Sequence, residues 1–148
     1  MDFKNITTEV AKEGFGCGVD CSMAVAGHCS HMLDISETDA LKMAAAFGGG
    51  MWRGEVCGCV AGALMCLGLK FGNGGPVEPE VKDAFLAKKA AFEEAFIKEN
   101  GTLICKELLG YDISKPEEME KIMEENLFMT KCPNFVMSAC KIMDEMLK

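Results

Sequence analysis

Residues 78–99 read EPEVKDAFLAKKAAFEEAFIKE, and this stretch decides the fold class. Val81, Phe85, Phe92 and Phe96 recur at helical spacing, and Ala84, Ala91 and Ala95 widen the same face. Lys88 is the one polar position on that stripe, and its long stem can carry the ammonium to water. Asn100-Gly101 closes the segment.

Outward from this helix the same periodicity continues in both directions. Upstream, helices are predicted over Phe3 to Glu13, Val19 to Leu33, Ser36 to Phe47 and Glu55 to Phe71. Gly14, Gly48-Gly49-Gly50 and Gly72-Asn73-Gly74-Gly75-Pro76 break them. Ser36 with Asp39 has a capping-box-like spacing. Downstream, a short helix runs from Thr102 to Leu109, Ser114 and Pro116 open another, and the last begins near Pro133. No alternating strand pattern competes. The expectation is an all-α bundle of six or seven helices with short Gly-rich loops, in a single domain over residues 1–148.

Net charge is −8, from 15 Lys and Arg against 23 Asp and Glu. Nucleic acid and anionic membrane surfaces both need a basic patch, so neither is an expected partner. The longest apolar stretch, Val56 to Leu69, is shorter than the roughly 20 residues of a membrane span. No secretory signal pattern is visible at the start of the sequence, and a cytoplasmic location is expected. Thiols stay reduced there.

The sulfur content is the second strong signal: nine cysteines and twelve methionines. An odd cysteine count argues against a fully paired disulfide framework. Cys17 and Cys21 are one helical turn apart. Cys57 and Cys59 open the Gly-rich helix, and Cys66 follows one heptad later. Cys132 lies at a helix start, as Cys57 does, where the helix dipole favours thiolate, the form that binds metal. Cys29, Cys66 and Cys140 sit among apolar or small neighbours, where free cysteine acts as a small hydrophobe. No lysine followed by Ser or Thr stands after Gly48-Gly49-Gly50, so a phosphate loop is rejected. His28 and His31 read as polar surface or core residues, and the glutamates from Glu117 to Glu125 as a solvated face.

At Gly48-Gly49-Gly50-Met51-Trp52-Arg53-Gly54, followed by Cys57-Gly58 and Gly62-Ala63-Leu64-Met65, the chain resembles the family of redox-active proteins named for a C–GCAxxG–C–C cysteine pattern. Asp20-Cys21-Ser22-Met23-Ala24-Val25 is similar to that family's first cysteine segment. Cys105-Lys106-Glu107-Leu108-Leu109-Gly110-Tyr111-Asp112 is similar to its third, and Cys132-Pro133 with Phe135-Val136 to its fourth. The chain also resembles the cysteine-bearing domain of split-Soret cytochromes. Together these resemblances imply an iron–sulfur cluster, [4Fe-4S] or [2Fe-2S], on Cys21, Cys57, Cys105 and Cys132. The CxxCH signature of covalent haem is missing. The chain departs from the pattern at Cys59, where the family usually has a small residue such as alanine. Cys17, Cys29, Cys66 and Cys140 are also additional, and Cys17 and Cys59 stand close enough in sequence to join the ligand set.

The expected function is one-electron transfer or redox sensing with a protein redox partner, and a homodimer is compatible with the sequence. Two alternatives use the same thiols. A thiol–disulfide oxidoreductase would use Cys17/Cys21 or Cys57/Cys59, although no CxxC and no βαβ pattern occurs. A structural zinc site would use the four thiolates without the closely spaced pairs zinc sites usually show.

Overall fold

Capping chemistry sets where the helices begin. In the computed structural model, which describes residues 1–148, the Thr7 side chain accepts the Val10 amide at 3.2 Å and opens helix α1 (Thr8–Gly16). Ser36 accepts the Asp39 amide at 3.0 Å and opens α3 (Glu37–Ala44). Proline in the first turn starts α5 (Pro79–Asn100), α7 (Pro116–Glu124) and α9 (Cys132–Met146). Between them lie α2 (Cys21–Ser30), α4 (Gly58–Phe71), α6 (Cys105–Leu109) and the single turn α8 (Leu127–Thr130). Gly101 and Gly110 end α5 and α6 in the left-handed conformation.

The class is all-α, with no strand beyond one isolated antiparallel bridge between Val56 and Ile104. The count of six or seven helices is corrected to nine. The extra elements are short: α8 is four residues long, too short to carry a periodic signal. A wide turn over Gly50–Gly54 also stands where the sequence reading had only a break. No helix is long and apolar enough to cross a membrane.

Helices α2 and α4 form the centre, with α3 and α9 packed on α2 and the C-terminal half of α5 on α9. The main core joins Val25, Val60, Leu67, Phe92, Phe96, Val136 and Met143, all fully buried. Each such side chain contributes about 1.5–3 kcal/mol by leaving water. The α5 stripe behaves differently along its length. Phe92 and Phe96 stack in the core with ring centres 6.1 Å apart, whereas Phe85 is only partly buried against it and Val81 is exposed. A second, smaller core forms from Cys105, Leu109, Ile113, Ile122 and Leu127.

His28 ties the N-terminus to the last helix. Its Nδ1 lies 2.8 Å from the Phe3 carbonyl and its Nε2 2.7 Å from an Asp144 carboxylate oxygen.

Candidate thiol site at the seam of two cores

The two cores meet at a cavity of about 230 Å³ lined mainly by apolar side chains. Cys21, Cys57, Cys59, Cys105 and Cys132 all line it. Cys57 and Cys59 belong to the main core, with Cys21 packed against it, while Cys105 belongs to the small core and Cys132 packs on that one. Cys17 is exposed at the end of α1 and is not brought to the cavity.

Four of the five thiols stand at helix N-termini. Cys21, Cys105 and Cys132 are the first residues of α2, α6 and α9, and Cys57 caps α4. Free amides and the positive dipole ends therefore turn toward one region from four helices. The sequence reading found this for Cys57 and Cys132 only. Cys105 was placed inside a helix beginning at Thr102. The residues before it are instead extended and bridge to Val56, which delays the helix to Cys105.

That bridge also sets Cys57 beside Cys105. The Cys57 amide donates to the Leu103 carbonyl at 2.7 Å, and the Cys105 amide donates to the Glu55 carbonyl at 2.6 Å. Next to Cys57, a glycine admits the Cys21 sulfur. A Cβ added at Gly58 would lie 2.5 Å from Cys21 Sγ, well inside contact distance. The Gly49 amide lies near the same sulfur and favours its thiolate form.

Gly49 begins a left-handed turn. Gly49, Gly50, Met51 and Trp52 have φ of 59°, 62°, 60° and 56°. Left-handed backbone costs about 1–2 kcal/mol at each non-glycine residue. Met51 and Trp52 are also exposed, at 53% and 47%. Burial of apolar surface therefore gives these two little in return for the strain. What the turn achieves is placement, since Trp52 forms part of the cavity wall.

The thiols perturb one another. Cys21 is pulled below the ordinary cysteine range, first by the Cys59 thiol that donates to it and then by the Gly49 and Ser22 amides, against burial and the Asp20 charge. Cys59 is pushed well up by burial and by donating to Cys21 and Cys57, so the shared proton stays on Cys59. Burial, followed by the charges of Cys57 and Cys21, raises Cys105 to about 12. Cys132 rises for the same reasons, with Lys131 opposing weakly. Burial also raises the Asp20 carboxyl at the rim. Helix dipoles favour thiolate here, but burial and neighbouring negative charge outweigh them. The array resists multiple ionisation until a cation compensates it.

No group of three or more His, Cys, Asp or Glu side chains converges as a single-ion site. Four sulfurs about 2.3 Å from one zinc ion would nearly touch one another. Thiols set around a cavity would suit a group held by several thiolates at once. Soft donors on four segments, an apolar wall and the glycine approach at Gly58 all suit such a group.

The other three cysteines lie elsewhere. Cys29, Cys66 and Cys140 are buried in the main core, on α2, α4 and α9. A family model described as "Putative redox-active protein (C_GCAxxG_C_C)" matches residues 19–146, which include every cavity cysteine. The chain matches no curated protein and no solved structure.

Proposed function

Given that the chain belongs to the C_GCAxxG_C_C family of redox-active proteins, we propose that it is an iron–sulfur redox protein. Cys21, Cys57, Cys105 and Cys132 hold the cluster, and Cys59 is a non-ligating thiol on the same wall. The observation that carries this reading is the convergence of four helix N-terminal cysteines, from four distant segments, on one apolar cavity.

When bound, the cluster supplies one-electron chemistry. The protein's own residues do the rest. The helix N-termini stabilise negative charge on the thiolates. The Gly49 amide, which favours the Cys21 thiolate, would be a donor toward the bound ligand sulfur, and N–H···S bonds raise the reduction potential of an iron–sulfur centre. Trp52, Leu108, Phe128 and Phe135 line the cavity and limit water. A redox partner protein docks at the mouth, where Trp52 and Met123 are exposed. An acidic surface of net charge −8 favours a basic partner.

Anaerobic purification tests the assignment by iron and acid-labile sulfide analysis with an absorption spectrum. Stoichiometric iron and sulfide with a brown chromophore are expected. A protein lacking both after reconstitution overturns the reading, and a colourless zinc-loaded protein replaces it.

One observation favours a thiol-exchange reading as the alternative. Cys59 is the thiol neighbour of Cys21 and lowers its pKa, so an exchange pair in this cavity would be Cys21 with Cys59. Reversible loss of two alkylatable thiols in iron-free protein, mapped to these residues, would favour it.

A further inference from the structure

Helix α5 has a second face that nothing in the chain covers. Phe85, Phe92 and Phe96 turn one side of the helix toward the core. On the far side Asp83, Leu86, Ala90, Glu94 and Ile97 follow the three- and four-residue spacing of one stripe, and all five are exposed. Leu86 is 43% exposed and Ile97 41%, both large apolar side chains left in water. From Asp83 to Lys98 the stripe runs about 22 Å at 1.5 Å per residue.

The charges of this face are unpaired and ordered. Lys89 pairs with Glu93 along one flank at 2.9 Å, but Glu80, Asp83, Glu94 and Lys98 make no ion pair within the chain. Two acids stand near the start of the stripe and a base near its end, which is the order an antiparallel copy of the same helix complements. Four lysines against five acids also leave α5 close to neutral, in a chain of net charge −8. This face therefore lacks the acidic field that would draw a basic protein, and the repulsion that keeps acidic surfaces apart is weakest here.

We propose that the outer face of α5 docks a second copy of the chain, antiparallel, about a two-fold axis that passes between Ala90 and Ala91. In that register Asp83 lies level with Lys98 of the partner subunit, and the contact occurs twice. Glu80, one turn before Asp83, adds a second acid to the same lysine. An antiparallel two-fold brings like flanks of the helices together, so Leu86 packs beside Ile97 of the partner subunit at both ends. Ala90 stands at the centre, where a small side chain lets the axes approach. The two copies of Glu94 lie about 10 Å apart along the axis, a distance over which physiological salt screens them. A contact along one helix is at the small end of specific interfaces, so the dimer forms reversibly, with a dissociation constant in the micromolar range. It does not depend on whether the thiol cavity holds iron.

Sedimentation equilibrium of the full-length protein, metal-free and iron-loaded, tests this. A mass that rises with concentration from 16.0 kDa toward twice that value is expected in both forms. Asp83→Lys and Lys98→Asp each raise the dissociation constant at least about tenfold by setting like charges opposite each other. The double variant carrying both returns it to near the parent value. Ala90→Arg keeps the protein at 16.0 kDa throughout. Circular dichroism checks the folding of each variant, and Leu86→Gln replaces any that fails, with weaker association expected. A parent that remains monomeric at every concentration overturns the proposal. So does a dimer that Ala90→Arg leaves intact, or a double charge variant that stays as weak as the single ones. A monomeric parent that binds a basic protein through α5 overturns it as well.

Discussion

Gly58 and Cys21 stand in direct apposition across the α2–α4 interface, with room for a sulfur and none for a β-carbon. Gly58→Ala therefore forces Cys21 Sγ aside by more than an ångström or spreads the helices. Overpacking of this kind costs about 1–3 kcal/mol. The expected outcome is a folded protein of reduced stability by urea titration, with iron retention falling well below that of the parent. Unchanged iron content would show that the Cys21 position is not needed for the cofactor.

Alanine replacement separates the five cavity thiols. Cys21→Ala, Cys57→Ala, Cys105→Ala and Cys132→Ala should each yield protein without stoichiometric iron and sulfide after reconstitution. Cys59→Ala and Cys17→Ala should retain them, since the four-ligand site uses neither. Iron loss in Cys59→Ala would enlarge the ligand set to five, and far-UV circular dichroism checks that each variant folds.

The metal-free protein should weaken in alkali. Cys105 titrates near 12 in the fold, against an ordinary value of 9.0, because burial and neighbouring charges favour its neutral form. The thiol's contribution is fully present below pH 9, where both folded and unfolded chains are protonated. It is lost progressively between about pH 9 and 12, where only the unfolded chain ionises, at roughly 1 kcal/mol per pH unit for each such thiol. Urea midpoints at pH 8 and pH 10 measure the loss. Replacing Cys105 by Ala should flatten the slope.

His28 should hold the N-terminal segment. Replacing it by Ala removes its contacts with the Phe3 carbonyl and the Asp144 carboxylate at one stroke, at a residue only 8% exposed. A loss of about 1–3 kcal/mol is expected. Hydrogen exchange should quicken first around Phe3 and Ile6, both buried by this contact.

Met51→Gly should stabilise the protein by about 1 kcal/mol, because glycine adopts the left-handed backbone without a steric penalty and the Met51 side chain is exposed. Trp52→Gly relieves the same strain but opens the cavity wall. Its expected mark is faster loss of the cluster in air at equal or higher thermal stability. Equal air lifetimes for the two variants would remove any shielding role from Trp52.

Helix identity was legible where local chemistry writes it: Ser36 before Asp39, prolines at 79, 116 and 133, and glycines at 101 and 110. What the sequence hid was set by contacts between distant residues. Nothing local to Met51-Trp52 announces a left-handed turn. Val81, exposed near the start of α5, fits the same periodicity as the buried Phe92 and Phe96, because periodicity reports a face and not what covers it. Asn126, itself left-handed, starts α8 with no apolar repeat to mark it. At the site, Cys57 and Cys132 could be placed at helix starts from flanking residues. The start of α6 at Cys105 depends on the bridge of Ile104 to Val56, which lies 48 positions earlier in the chain than Ile104. That Cys21 and Cys59 line one cavity appears only once α2 lies on α4.

The seam between the two cores has a consequence for biosynthesis. The proposed ligands are drawn from both sides, and the last, Cys132, follows the first, Cys21, by 111 residues. A nascent chain that has released α2 and α4 from the ribosome carries three of the cavity's cysteines and only one wall. On the proposed ligand assignment, metal loading waits until Cys132 has been made, and a delivery factor would have to recognise the assembled seam, not a linear tag.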